Sequence, residues 1–331
     1  MVGSVLVFEN RIIGEGYHRA YGQAHAEVDC LASVKEEDVP LIQQSTLYVS
    51  LEPCAHFGKT PPCADLIVNK KIPKVVIGCR DPFVQVNGKG IEKLEAAGIE
   101  VEVGILEKEC IDLNRRFFHF HTQHRPYVVL KWAQTQDGFL AGNSASRLKI
   151  SNPYSDRLVH KWRSEEVGIL VGTNTAVNDD PQLNTRLWSG KNPVRIIIDM
   201  NKRLPAWLKV FDGSVPTIVF NRHEHSLPFE KLSAYNLTGV QYYQVTEDVS
   251  IVHQVLNGLY RLGIQSILVE GGAQLLQSFI EEEAWDEARV MTNEELSIGK
   301  GLSAPILRNG TLVQTDALFS DVIRTYKRIE S

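Results

Sequence analysis

The chain has 331 residues, 43% hydrophobic and 23% charged, with 24 glycines and 14 prolines. At about 150 residues per domain this length predicts two domains, each able to bury its own core, and the composition excludes a disordered, collagen-like or disulfide-dense protein. A formal charge of −5 argues against a protein that wraps nucleic acid by counterion release, and no stretch approaches the ~18 unbroken apolar residues of a membrane helix.

Met1 to Phe8 is apolar but lacks a basic leader and runs into Glu9 and Arg11. It reads as a strand, not a signal peptide. Val5–Phe8 and Ile12–Gly16 suggest a hairpin with Glu9-Asn10 in the turn. A helix from about Ala24, a strand Thr46–Leu51 and a helix Cys63–Lys71 follow. Next come a strand Lys74–Cys79, a helix Gly90–Ala97 and a strand Glu100–Gly104. Strands that each return through a helix predict a largely parallel, covered α/β sheet. Residues 107–118 read as helical, and His119 to Pro126 breaks the pattern, placing a boundary at residue 124. The predicted domains are therefore 1–124 and 125–331. The first holds 13 Lys and Arg against 17 Asp and Glu, so neither half is basic.

The second half restarts with a strand Tyr127–Thr135 ending in Asp137-Gly138. Short apolar runs follow at Ile169–Val171, Val194–Ile198, Thr217–Phe220 and Ile267–Val269, with helical stretches at 154–165, 251–262 and 273–283. This is again α/β and suggests a nucleotide-binding sheet. Gly299-Lys300-Gly301 through Ala304 fits G-x-G-x-x-A, but it stands outside a βαβ unit and Pro305 breaks any helix there, so it is not a dinucleotide fingerprint.

The five cysteines, an odd number within the first 110 residues, make a poor disulfide framework and suit a reducing, cytoplasmic setting. Two of them belong to the most informative residues, His25-Ala26-Glu27 and Pro53-Cys54 through Pro62-Cys63. His25, Cys54 and Cys63 are suitable zinc ligands that leave a fourth tetrahedral position for water. A zinc ion lowers the pKa of such a water towards ~7. Glu27, two residues from His25, can shuttle protons to a ring nitrogen and a departing amine. H-x-E…P-C-x-x-C is the signature of zinc nucleobase deaminases. Here the cysteines lie nine residues apart, with Gly58 and a proline pair able to turn the insertion back. The alternatives are a structural zinc site, for which only His56 offers a fourth ligand, or two unrelated buried thiols. Cys30, Cys79 and Cys110 read as small buried hydrophobes. His18 either contacts substrate or makes an ordinary polar contact.

Gly16-Tyr17-His18, His25-Ala26-Glu27 and Leu51-Glu-Pro-Cys-Ala-His-Phe-Gly-Lys-Thr-Pro-Pro-Cys63 together resemble the bifunctional riboflavin-biosynthesis deaminase–reductase family, which carries the long Cys–Cys insertion. Lys131-Trp-Ala-Gln-Thr-Gln-Asp137-Gly138, Asn178-Asp-Asp-Pro181 and Val269-Glu-Gly-Gly272 extend the resemblance over essentially the whole chain. It implies a cytidine-deaminase-like α/β/α domain followed by a dihydrofolate-reductase-like α/β domain. The first would remove an amino group from a pyrimidine ribosylamine phosphate, using one zinc ion with Glu27 as the catalytic residue. The second would use NADPH to reduce the ribosyl chain to ribityl.

The resemblance further implies NADPH contacts at Ala133, Thr175, Asp179 and the stretch Gly272, Ala273, Gln274, Leu275, Leu276, Gln277 and Ser278. It implies substrate contacts at His18, Lys59, Lys131, Arg163, Leu183, Arg186 and Glu270. Residue chemistry is compatible: Gly271-Gly272 lets backbone approach a cofactor at a helix N-terminus, and an arginine fork suits a phosphate. Taken singly, the glycine pair also reads as a simple turn and each arginine as a surface ion pair. Lys131 reads equally as a structural lysine.

Three departures stand out. The family usually has a leading helix and a Pro-Asn-Pro segment, whereas Met1 here directly precedes Val2-Gly3; the expectation is a surviving metal site with weak deaminase turnover. Arg147 and Lys149 replace the usual Ser and Trp, and Phe83 replaces a frequent Asn. Two other readings compete: a zinc nucleic-acid deaminase with an inactive reductase-like binding module, which predicts a basic groove, and a zinc-stabilised assembly scaffold. The partners expected are small molecules, without nucleic acid or membrane, and a homo-oligomer is left open.

Overall fold

The computed structural model describes residues 1–19, 22–57, 61–83, 86–143, 148–227 and 236–329. The chain separates into two compact units, Met1–Thr122 and Gln123–Ser331.

In the first unit β1 (Gly3–Phe8) and β2 (Arg11–Tyr17) form the hairpin, with Glu9 at a φ of 52° in its turn. With β3 (Thr46–Leu51), β4 (Lys74–Cys79) and β5 (Glu100–Val103) they make one sheet in the order β2-β1-β3-β4-β5. β3, β4 and β5 run parallel, but β1 is antiparallel to both neighbours. The expectation of a largely parallel sheet therefore holds for one half only, because a two-residue turn joins antiparallel strands. Leu6, Leu47, Ile67, Ile77 and Leu94 form the core.

The helices are α1 (Ala26–Ala32), α2 (Cys63–Asn69), α3 (Lys89–Ala96), α4 (Glu107–Leu113) and α5 (Arg115–Gln123). Residues Glu36–Gln44 add a 3-10 stretch that sequence patterning did not suggest. α5 also corrects the expected break from His119: the helix continues to Gln123, and only His124, at a φ of 53°, and the following Arg125-Pro126 end it. α1 lies directly on β2 because residue 16 is glycine; a Cβ there would stand 2.2 Å from the Cys30 nitrogen.

The second unit opens with β6 (Tyr127–Thr135), β7 (Phe139–Gly142), α6 (Pro153–Glu165), β8 (Gly168–Gly172) and α7 (Thr173–Asp179). β9 (Val194–Ile198), β10 (Thr217–Asn221), β11 (Val240–Gln244), α8 (Ile251–Arg261), β12 (Ser266–Val269) and α9 (Ala273–Glu281) follow. β13 (Glu287–Asn293), β14 (Gly301–Ser303), β15 (Gly310–Leu318) and β16 (Asp321–Arg328) complete it. Nine strands form a sheet in the order β11-β10-β9-β8-β12-β6-β13-β16-β15. All neighbours are parallel up to β13, and β16 and β15 add antiparallel edges. A bulge leaves Val313 of β15 unpaired, between Leu312 opposite Tyr326 and Gln314 opposite Thr325.

From β8 the chain runs outward to β11, then returns to insert β12 beside β8 before crossing to β13. The β8–β12 boundary is thus a topological switch point, where open α/β sheets bind ligands at the carboxyl ends of their strands. α6 begins at Asn152, whose side chain accepts the Tyr154 and Ser155 N–H groups at 3.0 Å each, with Pro153 at the first helical position. Arg195, fully buried on β9, donates to the Gln182 carbonyl at 2.9 Å and to Asp212 at 2.7 Å, fixing two connections from inside the sheet. Gly299 and Gly301 lie in a turn and at the start of β14, and the Gly299 N–H donates to Asp137 at 2.7 Å, a structural use of the G-x-G pattern. Among the described residues no helix is long and apolar enough to cross a membrane.

Candidate functional site

In the first unit three elements converge. His25 precedes α1 with extended backbone, and its side chain makes no helix-capping hydrogen bond; the ring instead faces sulfur, with Nδ1 3.5 Å from Cys54 Sγ and 3.3 Å from Cys63 Sγ. Cys54 follows the end of β3. Cys63 is the first residue of α2, after Pro62, and its N–H donates to Cys54 Sγ at 3.3 Å. A helix's first N–H groups lack intrahelical acceptors, so this one is free to support a thiolate. Contact with Cys63 foremost, and then with His25, holds the Cys54 thiol well below the usual thiol range.

These three donors lie within 4.8 Å of one another, and they are the metal-holding group found among the described residues. A tetrahedral zinc with ordinary bond lengths would separate its nitrogen and sulfur ligands by about 3.6 Å, close to the spacings observed. One imidazole and two thiols suit zinc, so the residues fit the ion. His56 is exposed and outside the cluster, so among the described residues no fourth ligand stands with these three. Glu27 is 3% exposed, and burial pushes its carboxyl upward while its side chain reaches Cys63. His18 stacks edge-on against His25 at 5.4 Å, with Nδ1 at 3.0 Å from the Ala24 carbonyl. It therefore makes the ordinary polar contact while standing beside the metal donors. Lys59 lies outside the described residues.

In the second unit a buried polar cluster lies by the switch point. Glu270 follows β12, and its two oxygens accept Nε and Nη2 of Arg163, each at 2.7 Å. Arg163 Nη1 donates to the Asn184 carbonyl at 3.2 Å, and Arg186 Nη1 to Asn184 Oδ1 at 3.1 Å. Burial opposes the Glu270 charge, but Arg163 first and Lys131 next hold it at about 2. His160, one turn before Arg163 on α6, is 4% exposed. Burial, then Arg163 and Arg186, lower it from 6.5 to about 4.

Thr175 and Gly272, from α7 and the start of α9, come together: a Cβ on residue 272 would lie 3.3 Å from Thr175 Oγ1. The glycine N-cap of α9 has no side chain over the first turn, a fit for an anionic dinucleotide. Ala273, Gln274, Gln277 and Ser278 line an open depression with Ala304 and Pro305. Leu276 is fully buried in the core and can offer a ligand only its backbone. Asp179 is exposed, Leu183 is buried at a φ of 50°, and Ala133 is half-buried on β6.

Residues 1–79 match the cytidine and deoxycytidylate deaminase zinc-binding region, and residues 126–315 match the RibD C-terminal domain. The riboflavin biosynthesis protein RibD of Aquifex aeolicus is 42% identical over 304 residues, covering 91% of this chain and 82% of that protein. The chain belongs to the RibD family. A Bacillus amyloliquefaciens RibD is 37% identical over 94% of this chain and 80% of its own length. The crystal structure of a Thermotoga maritima diaminohydroxyphosphoribosylaminopyrimidine deaminase/5-amino-6-(5-phosphoribosylamino)uracil reductase superposes with a TM-score of 0.86 at 35% identity. That match covers 99% of this chain and 91% of the other. Acinetobacter baumannii RibD also gives a TM-score of 0.86, at 32% identity over 99% and 92% of the two chains.

RibD proteins are bifunctional deaminase–reductases of riboflavin biosynthesis, and this chain carries both the zinc-binding deaminase region and the reductase domain, the latter with a dihydrofolate-reductase-like fold. The resemblance drawn from the sequence is thereby borne out. Among the RibD departures, Arg147 lies outside the described residues. Lys149 is exposed and pairs with Asp156 at 3.4 Å, and the Phe83 ring packs 5.0 Å from that of His121.

Sequence reasoning missed three buried polar residues near these clusters. His160 could have been suspected from its three-residue spacing before Arg163. Asp81, lifted to about 6 chiefly by burial, stood unremarked beside Phe83. Glu52 accepts four backbone N–H groups, from Asp81, Gly88, Gly90 and Ile91, and nothing in its local sequence announces them.

Proposed function

We propose that this chain, acting in the cytoplasm on small molecules, hydrolytically removes an amino group from a diaminopyrimidinone ribosylamine phosphate. It then reduces the ribosyl chain of the product to ribityl with NADPH. The observation that carries the reading is the convergence of His25, Cys54 and Cys63 with Glu27 buried beside them. We assign the metal to those three donors and the deaminase domain to residues 1–124.

A zinc ion held by His25, Cys54 and Cys63 would supply Lewis acidity that makes water nucleophilic at neutral pH. Glu27 holds the proton traffic: its carboxyl accepts a proton from water and delivers it to the pyrimidine ring nitrogen, then takes the second proton from the hydroxyl now on the ring carbon and gives it to the amine leaving as ammonia. Burial favours its protonated form, so it is suited to give a proton as well as take one. His18, fixed by the Ala24 carbonyl, bounds the substrate pocket, and we assign Lys59 a substrate contact from the family resemblance.

In residues 125–331 NADPH supplies the hydride. The glycine N-cap and first turn of α9, Thr175, Asp179 and Ala133 hold the cofactor, and residues Gly272 to Ser278 give it backbone and side-chain contacts at the switch point. Arg163 is committed to Glu270 and the Asn184 carbonyl. That pair, with Lys131 and Leu183, shapes the sugar pocket, while the exposed Arg186 meets the phosphate.

A coupled assay tests the reading. Purified chain with its zinc quantified, given the pyrimidine phosphate and NADPH, is expected to release one ammonia for each NADPH oxidised. Ammonia release without NADPH oxidation would restrict the activity to a deaminase.

A further inference from the structure

We propose that Glu52 is the positioning residue of the deaminase metal centre, setting the place of Cys54 by anchoring the turn that carries it to α3. The inference rests on the reading of His25, Cys54 and Cys63 as zinc ligands. Glu52 is 3% exposed and makes no ion pair among the described residues. Its Oε1 accepts the N–H groups of Gly90 at 2.9 Å and Ile91 at 3.4 Å. Its Oε2 accepts those of Asp81 at 3.2 Å and Gly88 at 3.1 Å.

This is a helix cap supplied from a distance. α3 starts after Gly88, which has no side chain to cap it and sits at a φ of 82°. The second and third N–H groups of the helix would otherwise lack acceptors. They turn instead to a carboxylate 38 and 39 residues earlier in the chain. Because Glu52 is two residues before Cys54, capping α3 and placing a metal ligand become one event.

The turn between them has little freedom. The Glu52 N–H still belongs to the sheet, donating to the Cys79 carbonyl at 3.0 Å. Pro53 has no N–H and a fixed φ. Its carbonyl is pressed on α3, since a Cβ on Gly90 would come within 2.0 Å of the oxygen. Beyond it the Cys54 carbonyl accepts the Ala64 N–H at 3.1 Å, and its sulfur the Cys63 N–H. α2 thus holds Cys54 from one side and Glu52 from the other. Glu52 touches neither metal nor substrate; it acts through the ligand, as groups behind metal ligands generally do.

Glutamine at this position has nearly the same shape but one acceptor oxygen, so its NH2 group would face two N–H donors. The test uses the full chain loaded with zinc or with cobalt. It compares wild type, Glu52→Gln and a control, Leu94→Ala, which loosens α3 through the core and leaves the turn alone. Glu52→Gln is expected to release zinc to a chelator about 10- to 100-fold faster than wild type and to shift the cobalt d–d absorption. Leu94→Ala is expected to lose thermal stability with wild-type release and spectrum. Wild-type release and spectrum in a folded Glu52→Gln, or an equal change in Leu94→Ala, would overturn the proposal and leave Glu52 a cap alone. If Glu52→Gln does not fold, the same comparison is read on Glu52→Asp, which keeps the charge but is one methylene short. A folded Asp variant indistinguishable from wild type overturns the proposal equally. Failure of the wild type itself to bind one ion per chain would instead refute the ligand assignment.

Discussion

Arg163 and Glu270 form a two-pronged ion pair across 107 residues of sequence, with both contacts at 2.7 Å and both side chains nearly out of solvent. A planar fork against a planar carboxylate aligns two charge-assisted hydrogen bonds at once. Removing one partner of a buried pair strands the other charge, a loss of about 3–5 kcal/mol. Arg163→Met is therefore expected to destabilise residues 123–331 by that order and to abolish NADPH oxidation, measured by urea unfolding and absorbance at fixed protein concentration. A loss under about 1 kcal/mol would mean that water relieves Glu270 after all.

Glu27→Gln preserves shape near the metal donors but removes the proton carrier. Ammonia release should fall by about 10²- to 10⁴-fold, the usual worth of a positioned acid–base group. Zinc content and NADPH oxidation on already deaminated substrate should stay at wild-type levels. Loss of both activities in a folded variant would contradict two separate sites.

All five tryptophans, Trp132, Trp162, Trp188, Trp207 and Trp285, lie in the second unit. Chelation of zinc should lower the unfolding transition of Met1–Thr122, since a metal that binds only the folded state stabilises it by mass action. Tryptophan fluorescence should keep its transition unchanged while far-UV circular dichroism records the earlier loss. A concerted shift in both signals would show that the metal supports the entire chain.

His160 sets an acid limit on the second unit. Its folded value of about 4 lies below the ordinary 6.5, so between these values the unfolded chain binds more protons and stability rises with pH. The contribution is fully present above about pH 6.5 and is lost as pH falls toward 4. Glu270, at about 2 against an ordinary 4.5, adds a second loss beginning below about pH 4.5. Urea midpoints followed by tryptophan fluorescence should fall from pH 7 to pH 4, and His160→Gln should flatten the upper part of that slope. An unchanged slope would assign the acid sensitivity elsewhere.

Much of this was readable in the chain because the chemistry is local in sequence. His25 and Glu27 share three residues, and Cys54 and Cys63 share one insertion, so the metal donors could be named without knowing which strands carry them. The strands of the second unit as far as β12 were visible as apolar runs, except the short β7 and the half-exposed β11. β13, β15 and β16 were not: β15 is mostly exposed and has no apolar face to betray it, and β13, though buried, carries polar Glu287, Arg289, Thr292 and Asn293 that break its apolar run. Glu52 was opaque for a different reason: its partners are backbone amides 29 to 39 residues away, and an amide has no residue signature. Arg195 offered a clue that went unread, a lone charge inside Val194-Arg-Ile-Ile-Ile198.

The unpaired Val313 has a bearing on how the molecule survives at high concentration. β15 is the outermost of nine strands, with Leu312 and Val313 both about half-exposed. A flat apolar edge offers its amides as a template for further strands. One surplus residue sharpens the twist and throws the remaining amides out of step with any straight newcomer. Deleting Val313 would restore even pairing with β16, leave both catalytic clusters untouched, and turn the rim of the sheet into a seed for fibrils.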